Sequence, residues 1–308
     1  MHLRILDTDG SVTAQPSLQD VAAWESVAVV PMQDLAPKLR LWSRDATMRS
    51  ARERVLAESL TEPCVTMLGS GDFHHLAVLL MEQVREPVTI VHFDNHPDWV
   101  RLAPRWHCGS WVNRALELPN VRRVVTLGPC SDDLVRPQFK GGNLRALEDG
   151  RIALFPWQHD PSRVWGRHRD GAGYLCENGA LRWFNLSERS FDQNLEAILP
   201  LITTPAIWLT IDKDVLPEEE ALTNWDQGRM PLAAIVALIE AIGARHRLIG
   251  ADICGEDSAS GLSNVFKRWE ARMDQPERER VDAHRLAQNE AVNRTLLKTI
   301  SDVGARGC

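Results

Sequence analysis

The chain has 308 residues, 44% of them hydrophobic, and a formal net charge of −7. That length provides ample core for a folded protein, and the acidic balance without a Lys or Arg run argues against a nucleic-acid partner. No apolar segment is long enough to span a bilayer, and we expect no signal peptide. The six cysteines include no C-x-x-C pair, so we expect neither disulfides nor a thiolate zinc site, and a cytoplasmic location.

Short apolar runs alternate with helical patterns along the chain. The predicted strands are Leu3–Leu6, Ser26–Val30, Cys64–Leu68, Val88–Phe93, Val121–Leu127, Ile152–Phe155, Ile207–Ile211 and Leu248–Ile253. The predicted helices are His74–Gln83, Ser110–Leu118, Asp192–Ile202, Leu232–Arg245, Ser263–Met273 and Glu277–Ser301. Several strands are continuous apolar runs, which is typical of strands covered on both faces. The alternation predicts a three-layer α/β/α fold with a mostly parallel, doubly wound sheet.

One segment, Gln158–Leu186, breaks this alternation. It contains several Gly and Pro residues and the turn-like Glu177-Asn178-Gly179. We predict an excursion from the sheet at about 158–186, which would be a lid, a subunit contact or a surface hairpin without a role. The charge-rich end of the chain, at about 263–303, is predicted to be a helical appendage of a single domain spanning residues 1–308.

Acidic residues follow two of the predicted strands. Asp94 and Asp98 come after Val88–Phe93, and Asp212 and Asp214 come after Ile207–Ile211. Carboxylates at the end of a buried strand are costly unless a cation neutralises them. In an open α/β sheet the carboxyl ends of the strands meet at one edge. We therefore expect these acids to converge on one site.

The residues at this edge have the composition of a site for two divalent ions. Four carboxylates and two imidazoles are available: Asp94, Asp98, Asp212, Asp214, His96 and one of His74 or His75. Hard or borderline ions such as manganese favour this mixture of oxygen and nitrogen, and they lower the pKa of a bridging water. Either acidic motif alone is more often a turn or a cap. Their joint occurrence, with a Gly-rich His segment upstream, favours a metal centre.

Four motifs occur in the order found in a known enzyme superfamily. They are Gly71-Asp72-Phe73-His74-His75, Asp94-Asn95-His96-Pro97-Asp98, Ile211-Asp212-Lys213-Asp214 and Gly250-Ala251-Asp252-Ile253. Together they resemble the arginase/agmatinase (ureohydrolase) superfamily over roughly residues 64 to 257. The resemblance implies an arginase/deacetylase-like fold with two Mn²⁺ per chain. It also implies hydrolysis of a guanidino or amidino C–N bond by a metal-bridging hydroxide, with release of urea and an amine.

The resemblance also assigns roles by position. The implied metal ligands are His74, Asp94, His96, Asp98, Asp212 and Asp214. Aligning from Leu76 selects His74, and His75 is the fallback. The Trp106–Ser110 segment looks like the family's Ser-His-Gly-Thr segment, which implies that His107 shuttles protons. A structural role for His107 is an equal alternative.

The chain departs from the family pattern more at positions that would contact the substrate than at positions that would bind the metals. The family's late Glu, which contacts the guanidinium, would be Glu256, one residue farther from Asp252 than the pattern expects, and Asp257 is the alternative. Lys213 stands between two implied ligands, and strand alternation predicts that it points away from the metals. The family's Gly-Gly-x-Thr stretch is replaced by Thr223–Arg229, so we do not expect free arginine as the substrate.

Two alternative functions remain open at this point. One is an amide hydrolase of the related deacetylase group with a single zinc ion, and the other is a non-catalytic member that binds a partner through the Trp-rich excursion. The full set of six ligands argues against both. We expect a guanidino substrate, free or borne by a peptide, with no nucleic-acid or membrane partner. The resemblance also implies that a homo-oligomer could form.

Overall fold

Eight parallel strands form the central sheet of the computed structural model, which describes residues 1–15, 18, 24–57, 63–101, 105–259, 261–262, 264–276 and 283–306. The strands are β1 (His2–Asp7), β2 (Val27–Pro31), β3 (Trp42–Ser43), β4 (Cys64–Gly69), β5 (Val88–Phe93), β6 (Trp106–His107), β7 (Val121–Leu127), β8 (Ile152–Phe155), β9 (Ser162–Arg163), β10 (Tyr174–Glu177), β11 (Ala180–Trp183), β12 (Ala206–Asp212) and β13 (Arg247–Cys254).

The central sheet has the strand order β2-β1-β4-β13-β12-β5-β7-β8, and every neighbouring pair is parallel. These are the eight strands predicted from the sequence, so the predicted α/β class is confirmed. The four strands that precede the conspicuous polar motifs (β4, β13, β12 and β5) are adjacent at the centre of the sheet. Their carboxyl ends therefore bring the motifs together.

Helices cover the sheet between these strands. They are α1 (Ala36–Leu39), α2 (Asp45–Ala57), α3 (Ala77–Met81), α4 (Trp111–Ala115), α5 (Leu144–Glu148), α6 (Phe191–Ile198), α7 (Leu232–Gly243), α8 (Val265–Asp274) and α9 (Ala283–Arg306). The helix predicted at His74–Gln83 instead begins as a 3-10 turn at Gly71–Leu76 and continues as α3. Ser263 and residues 277–282 of the two predicted C-terminal helices lie outside the described residues.

Helix α2 was not predicted, because its sequence is mostly polar. Only Met48, Ala51 and Val55 are buried, at positions i, i+3 and i+7 of the helix. This narrow stripe is sufficient because the helix packs on one edge of a large core. The sequence pattern is too sparse to distinguish it from a surface loop.

Alternating residues of the strands face two separate cores. In β5, for example, Val88 and Ile90 belong to one cluster, whereas Val91 and Phe93 belong to the other. Helices α2 to α5 contribute to the first cluster, and α6, α7 and α9 contribute to the second. The molecule thus has the predicted three layers, with the sheet buried on both faces.

The segment predicted as an excursion forms a small antiparallel sheet of β10, β11 and β9. Asn178 and Gly179 connect β10 to β11 with φ values of +51° and +76°. Two consecutive positive φ angles fit a tight hairpin turn. The predicted hairpin is therefore present, and a role as a lid or a subunit contact stays a prediction. Within the described part of the chain, no helix is long and apolar enough to cross a membrane.

Candidate metal centre

All six implied metal ligands lie at the carboxyl edge of the central strands. His74 belongs to the 3-10 turn after β4, and Asp94, His96 and Asp98 follow β5. Asp212 is the last residue of β12, and Asp214 lies in the turn that follows. Three overlapping groups of side chains could each hold a metal ion. Two of them share Asp94: the first group is His74, His92, Asp94 and Asp98, and the second is Asp94, His96 and Asp214. The remaining group is His74, Asp212 and Cys254.

The first group surrounds the Nδ1 atom of His74. This atom lies 3.3 Å from Asp94 Oδ2, 3.2 Å from Asp98 Oδ2 and 3.6 Å from Asp212 Oδ2. It is buried and makes no hydrogen bond to any described residue. Ligands bound at about 2.1 Å to one metal ion lie roughly 3.0 to 3.4 Å apart, because the coordination angles are between tetrahedral and octahedral. The spacing of these atoms therefore suits a shared cation.

A hydrogen-bond chain sets the tautomer of His74. The Thr210 hydroxyl donates to Asp252 Oδ1 at 2.7 Å, so its oxygen is left to accept from His74 Nε2 at 2.9 Å. His74 therefore carries a hydrogen on Nε2 and directs Nδ1 toward the carboxylates, so a metal ion would bind at Nδ1 in exchange for a proton. A histidine that ligates a metal is typically held by such a bond at its other nitrogen.

The second group is centred on His96. Its Nδ1 atom lies 2.9 Å from Asp214 Oδ2 and 3.6 Å from Asp94 Oδ1. Its other ring nitrogen lies 2.9 Å from Asp226 Oδ1, and the Asn95 amide also donates to the Asp226 carboxylate. Asp226 therefore orients His96 from the solvent side, in the same way that Thr210 orients His74 from the interior.

Three further side chains touch the centre and were not assigned from the sequence. His92 Nε2 lies 2.8 Å from Asp94 Oδ2, Trp111 Nε1 donates to Asp98 Oδ2 at 2.6 Å, and the Cys254 thiol lies 3.1 Å from Asp212 Oδ2. His92 precedes Asp94 by two residues, so strand alternation was a signal that could have identified it. Each of these residues leaves the carboxylate it contacts with a defined orientation.

The pKa values of the four carboxylates are shifted in opposite directions. Burial, and then the charge of Asp94, raises the pKa of Asp98 to about 6. Burial and neighbouring carboxylates also raise the pKa values of Asp212 and Asp214. Burial opposes ionisation of Asp94 as well, but His92, His74 and His96 hold the pKa of Asp94 well below its usual range. Ionising all four acids together is therefore unfavourable, and bound divalent cations would offset this cost.

The backbone at the centre permits unusually close approach. Asp98 has a φ of +48°, a left-handed conformation that is uncommon outside glycine and that is found at functional sites. A Cβ atom at Gly71 would lie 2.5 Å from Asp212 Oδ2, and one at Gly255 would lie 2.5 Å from Asp212 Oδ1. Asp212 is thus enclosed on two sides by positions that only glycine fits.

An open cavity of about 840 Å³ leads to the centre. Apart from His74, all the implied ligands line it. Its other acidic side chains are Asp132, Asp133, Asp226 and Glu270. Lys140 and Arg229 are the Lys and Arg residues among the described lining side chains, so the cavity is strongly acidic overall. A cationic substrate suits such a lining.

His107 also lines this cavity, and the structure gives it a partner on each ring nitrogen. The amide of Gly109 donates to its Nδ1 at 2.9 Å. Its Nε2 therefore carries the hydrogen, which it donates to Glu270 Oε1 at 2.5 Å. The imidazole is adjacent to the metal centre, since the position of a Cβ on Gly109 is 3.4 Å from His107 Nδ1 and 4.0 Å from Asp98 Oδ1. A role in proton transfer stays a prediction.

Glu256 does not face the cavity. It is buried, and its Oε1 atom lies 2.5 Å from Lys213 Nζ. Its two carboxylate oxygens also accept from Asn293, Gln15 and Asn289. The predicted contact of Glu256 with a substrate is therefore not supported by its position, whereas the expectation that Lys213 points away to a carboxylate is confirmed. Asp257, the alternative, is half-buried and is not among the lining residues.

Comparison with known proteins places this geometry in context. No protein-family profile matches the chain. An uncharacterized protein from Thermotoga maritima is 25% identical over 261 residues, which cover 83% of this chain and 80% of that protein.

Solved structures show the likeness more clearly. An Entamoeba histolytica arginase matches with a TM-score of 0.60 and 11% identity, over 97% of each chain. A proclavaminate amidino hydrolase from Streptomyces clavuligerus matches with a TM-score of 0.58 and 12% identity, over 100% of this chain and 92% of that one. Other matches include a hypothetical agmatinase from Burkholderia thailandensis and a formimidoylglutamase from Bacillus subtilis. At such low identity these matches establish the fold.

Proposed function

We propose that this chain, which has the fold of the ureohydrolase superfamily and is a divergent relative within it, is a binuclear-metal hydrolase of guanidino or amidino C–N bonds. The observation that carries the proposal is the surroundings of His74 Nδ1. Three carboxylates surround this nitrogen, and their effect outweighs burial and raises the pKa of His74 well above its usual value, so the site requires a positive charge, which a metal ion can supply in place of a proton. The solved structures with this fold include hydrolases named for guanidino and amidino substrates.

The donor set fits two divalent ions. His74, Asp98 and the shared Asp94 would hold one ion, and His96, Asp214 and Asp94 would hold the other. Asp212 Oδ2 lies 3.6 Å from His74 Nδ1, on the side of the first ion. Carboxylate oxygens with imidazole nitrogens suit manganese, which we propose as the metal. When bound, such a pair of ions makes water nucleophilic near neutral pH and stabilises negative charge that develops on the substrate.

Orientation of the metal ligands, binding of the substrate and proton transfer would depend on the chain's own residues. Thr210 and Asp226 keep the two histidines in the tautomers needed for binding. The acidic cavity attracts a cation and orients its guanidino or amidino end toward the centre. His107 lines the same cavity, and transfer of a proton from it to a leaving amine would require its Nε2–H to leave Glu270. Because Glu256 is engaged elsewhere, recognition of the substrate must differ from the family pattern.

The experiment is a panel of guanidino and amidino compounds incubated with protein reconstituted with Mn²⁺, with urea or the corresponding amide measured as product. We expect turnover of at least one member and a bound metal content of about two ions per chain. Asp98→Asn is the matched variant, since it removes one ligand charge with almost no change in volume, and it should abolish turnover.

Metal analysis of the same samples separates the alternatives. One zinc per chain with activity on acylated amines would favour the deacetylase type of enzyme. No product from any compound, together with no bound metal, would contradict the hydrolase proposal.

A further inference from the structure

A cationic substrate needs an acidic side chain in the cavity with which to pair. Glu256, the acid that the family resemblance implies, is paired with Lys213 instead. Gly255 stands three residues after Asp252, with a φ of +90° and no space for a side chain beside Asp212. Glu256 is turned into the protein and bonded to Lys213. The acids that remain in the cavity outside the metal centre are Asp132, Asp133, Asp226 and Glu270.

Three of these four acids are poorly suited to the task. Asp226 is bonded to His96 and Asn95. Asp133 lies 3.7 Å from the ammonium group of Lys140. Asp132 is exposed to solvent, which screens its charge. Glu270 is 21% exposed, much as Asp133 is at 22%, but its hydrogen-bond partners are the rings of His107 and Trp42 rather than a lysine or an implied metal ligand.

The partners of Glu270 orient it while leaving its charge in place. Oε1 accepts from His107 Nε2 at 2.5 Å, and Oε2 accepts from Trp42 Nε1 at 2.9 Å. His107 is neutral in this arrangement, because its Nδ1 accepts from the Gly109 amide. Each carboxylate oxygen has a second lone pair, so the group can still accept from the N–H groups of a planar cation.

Helix α8 holds Glu270 rigidly. The nearby ammonium group of Lys267 is directed to backbone, since its Nζ donates to the carbonyls of Lys38 at 2.9 Å and Trp42 at 2.6 Å. At the end of the helix, Gln275 Nε2 donates to Asp72 Oδ1 at 2.6 Å. The first anchor attaches α8 to the segment that also carries Trp42, and the second attaches it to the turn Gly71–Leu76. A carboxylate fixed in this way is preorganised for binding.

We propose that Glu270 is the specificity-determining carboxylate that pairs with the guanidinium or amidinium group of the substrate, with His107 as its positioning residue. This inference rests on the proposed function and adds to it. It assigns cation recognition to helix α8, which contributes Glu270 to a cavity that His107 and Asp98 also line. Glu256 is left with a role in the interior.

The test compares two small probes of the same shape on the manganese-loaded protein by titration calorimetry. Methylguanidinium is a cation, and methylurea is its neutral counterpart. We expect the native protein to prefer the cation, and Glu270→Gln to reduce that preference by at least about tenfold, the effect of losing one charge-assisted pair. Asp133→Asn is the matched control, since it removes the same charge from the same cavity, and it should change the preference by less than about twofold.

Every outcome of this comparison either supports or overturns the assignment of Glu270 as the cation-binding carboxylate. An unchanged preference in Glu270→Gln, or equal losses in both variants, would overturn the assignment, since only the overall charge of the cavity would then matter. Metal content and thermal unfolding are measured on every variant. If Glu270→Gln loses its metal or its fold, Glu270→Asp is the deciding variant. Its shorter side chain withdraws the carboxylate, which must weaken the binding of methylguanidinium and leave the binding of methylurea unchanged. If the native protein prefers methylguanidinium but turns over no compound of the panel, the hydrolase proposal is contradicted, and the assignment of Glu270 to cation binding stands.

Discussion

His74 and His75 are adjacent in the chain and meet different surroundings. Both are fully buried, but His74 Nδ1 faces the carboxylates while Nε2 is bonded to Thr210. Neither ring nitrogen of His75 has a hydrogen-bond partner among the described residues. Burial holds the pKa of His75 well below its usual range, so this side chain behaves as a neutral core residue. The sequence left the choice between them open, and the geometry favours His74 as the ligand.

Replacing each histidine by leucine tests this difference. His74→Leu should weaken metal binding by at least about tenfold, because it removes a ligand from a shared site. His75→Leu has nearly the same volume change and removes two unpartnered nitrogens, so the free energy of unfolding should change by less than about 1 kcal/mol. Metal stoichiometry and urea unfolding measure both effects. Loss of metal from His75→Leu, with His74→Leu unaffected, would reverse the assignment.

At the level of elements, the strands and their terminal acids could be read from the sequence. Continuous apolar runs identify buried parallel strands, and Asp94 and Asp212 terminate two of them. Alternation in β5 also places His92 beside Asp94. What could not be predicted depends on tertiary contacts between distant segments. Nothing local distinguishes Glu270 on α8 from a solvated helix charge, and the inward turn of Glu256 depends on Lys213.

The pair of Lys213 and Glu256 connects the turn after β12 to helix α9. Both side chains are buried, and Asn293 of α9 donates to the same oxygen of Glu256 as Lys213. Lys213 lies between Asp212 and Asp214, so the pair also holds two implied ligands in place. A buried ion pair of this kind contributes specificity of conformation more reliably than net stability.

Breaking this pair should be costly. Lys213→Met leaves a buried carboxylate without its cation, and the expected loss is about 3–5 kcal/mol of unfolding free energy. The double variant Lys213→Met/Glu256→Gln removes both charges, so the two effects should be non-additive by at least about 1 kcal/mol. Denaturant unfolding of the two single variants and the double variant completes the cycle. Simple additivity would mean that the two groups are not coupled.

At the level of the whole molecule, the centre joins parts of the chain that are far apart in sequence. Its residues follow β4, β5 and β12, which lie at the middle of the sheet between the two cores. The likeness to solved structures extends over nearly the whole chain, although identity is low. The fold is thus retained by the pattern of buried strands, while the identity of most side chains has changed.

Metal should therefore stabilise the molecule as a unit. Without a cation, the carboxylates of Asp94, Asp98, Asp212 and Asp214 lie close together in a buried site, which opposes folding. Ions that bind the folded state alone add about 2.7 kcal/mol at a concentration 100 times their dissociation constant. We expect dialysis against a chelator to lower Tm and Mn²⁺ to restore it, with a smaller response to Mn²⁺ in His74→Leu, which removes a ligand of one of the two proposed ions. Identical unfolding of native protein with and without metal would mean that these acids are satisfied without ions, and the binuclear centre would then lose its physical basis.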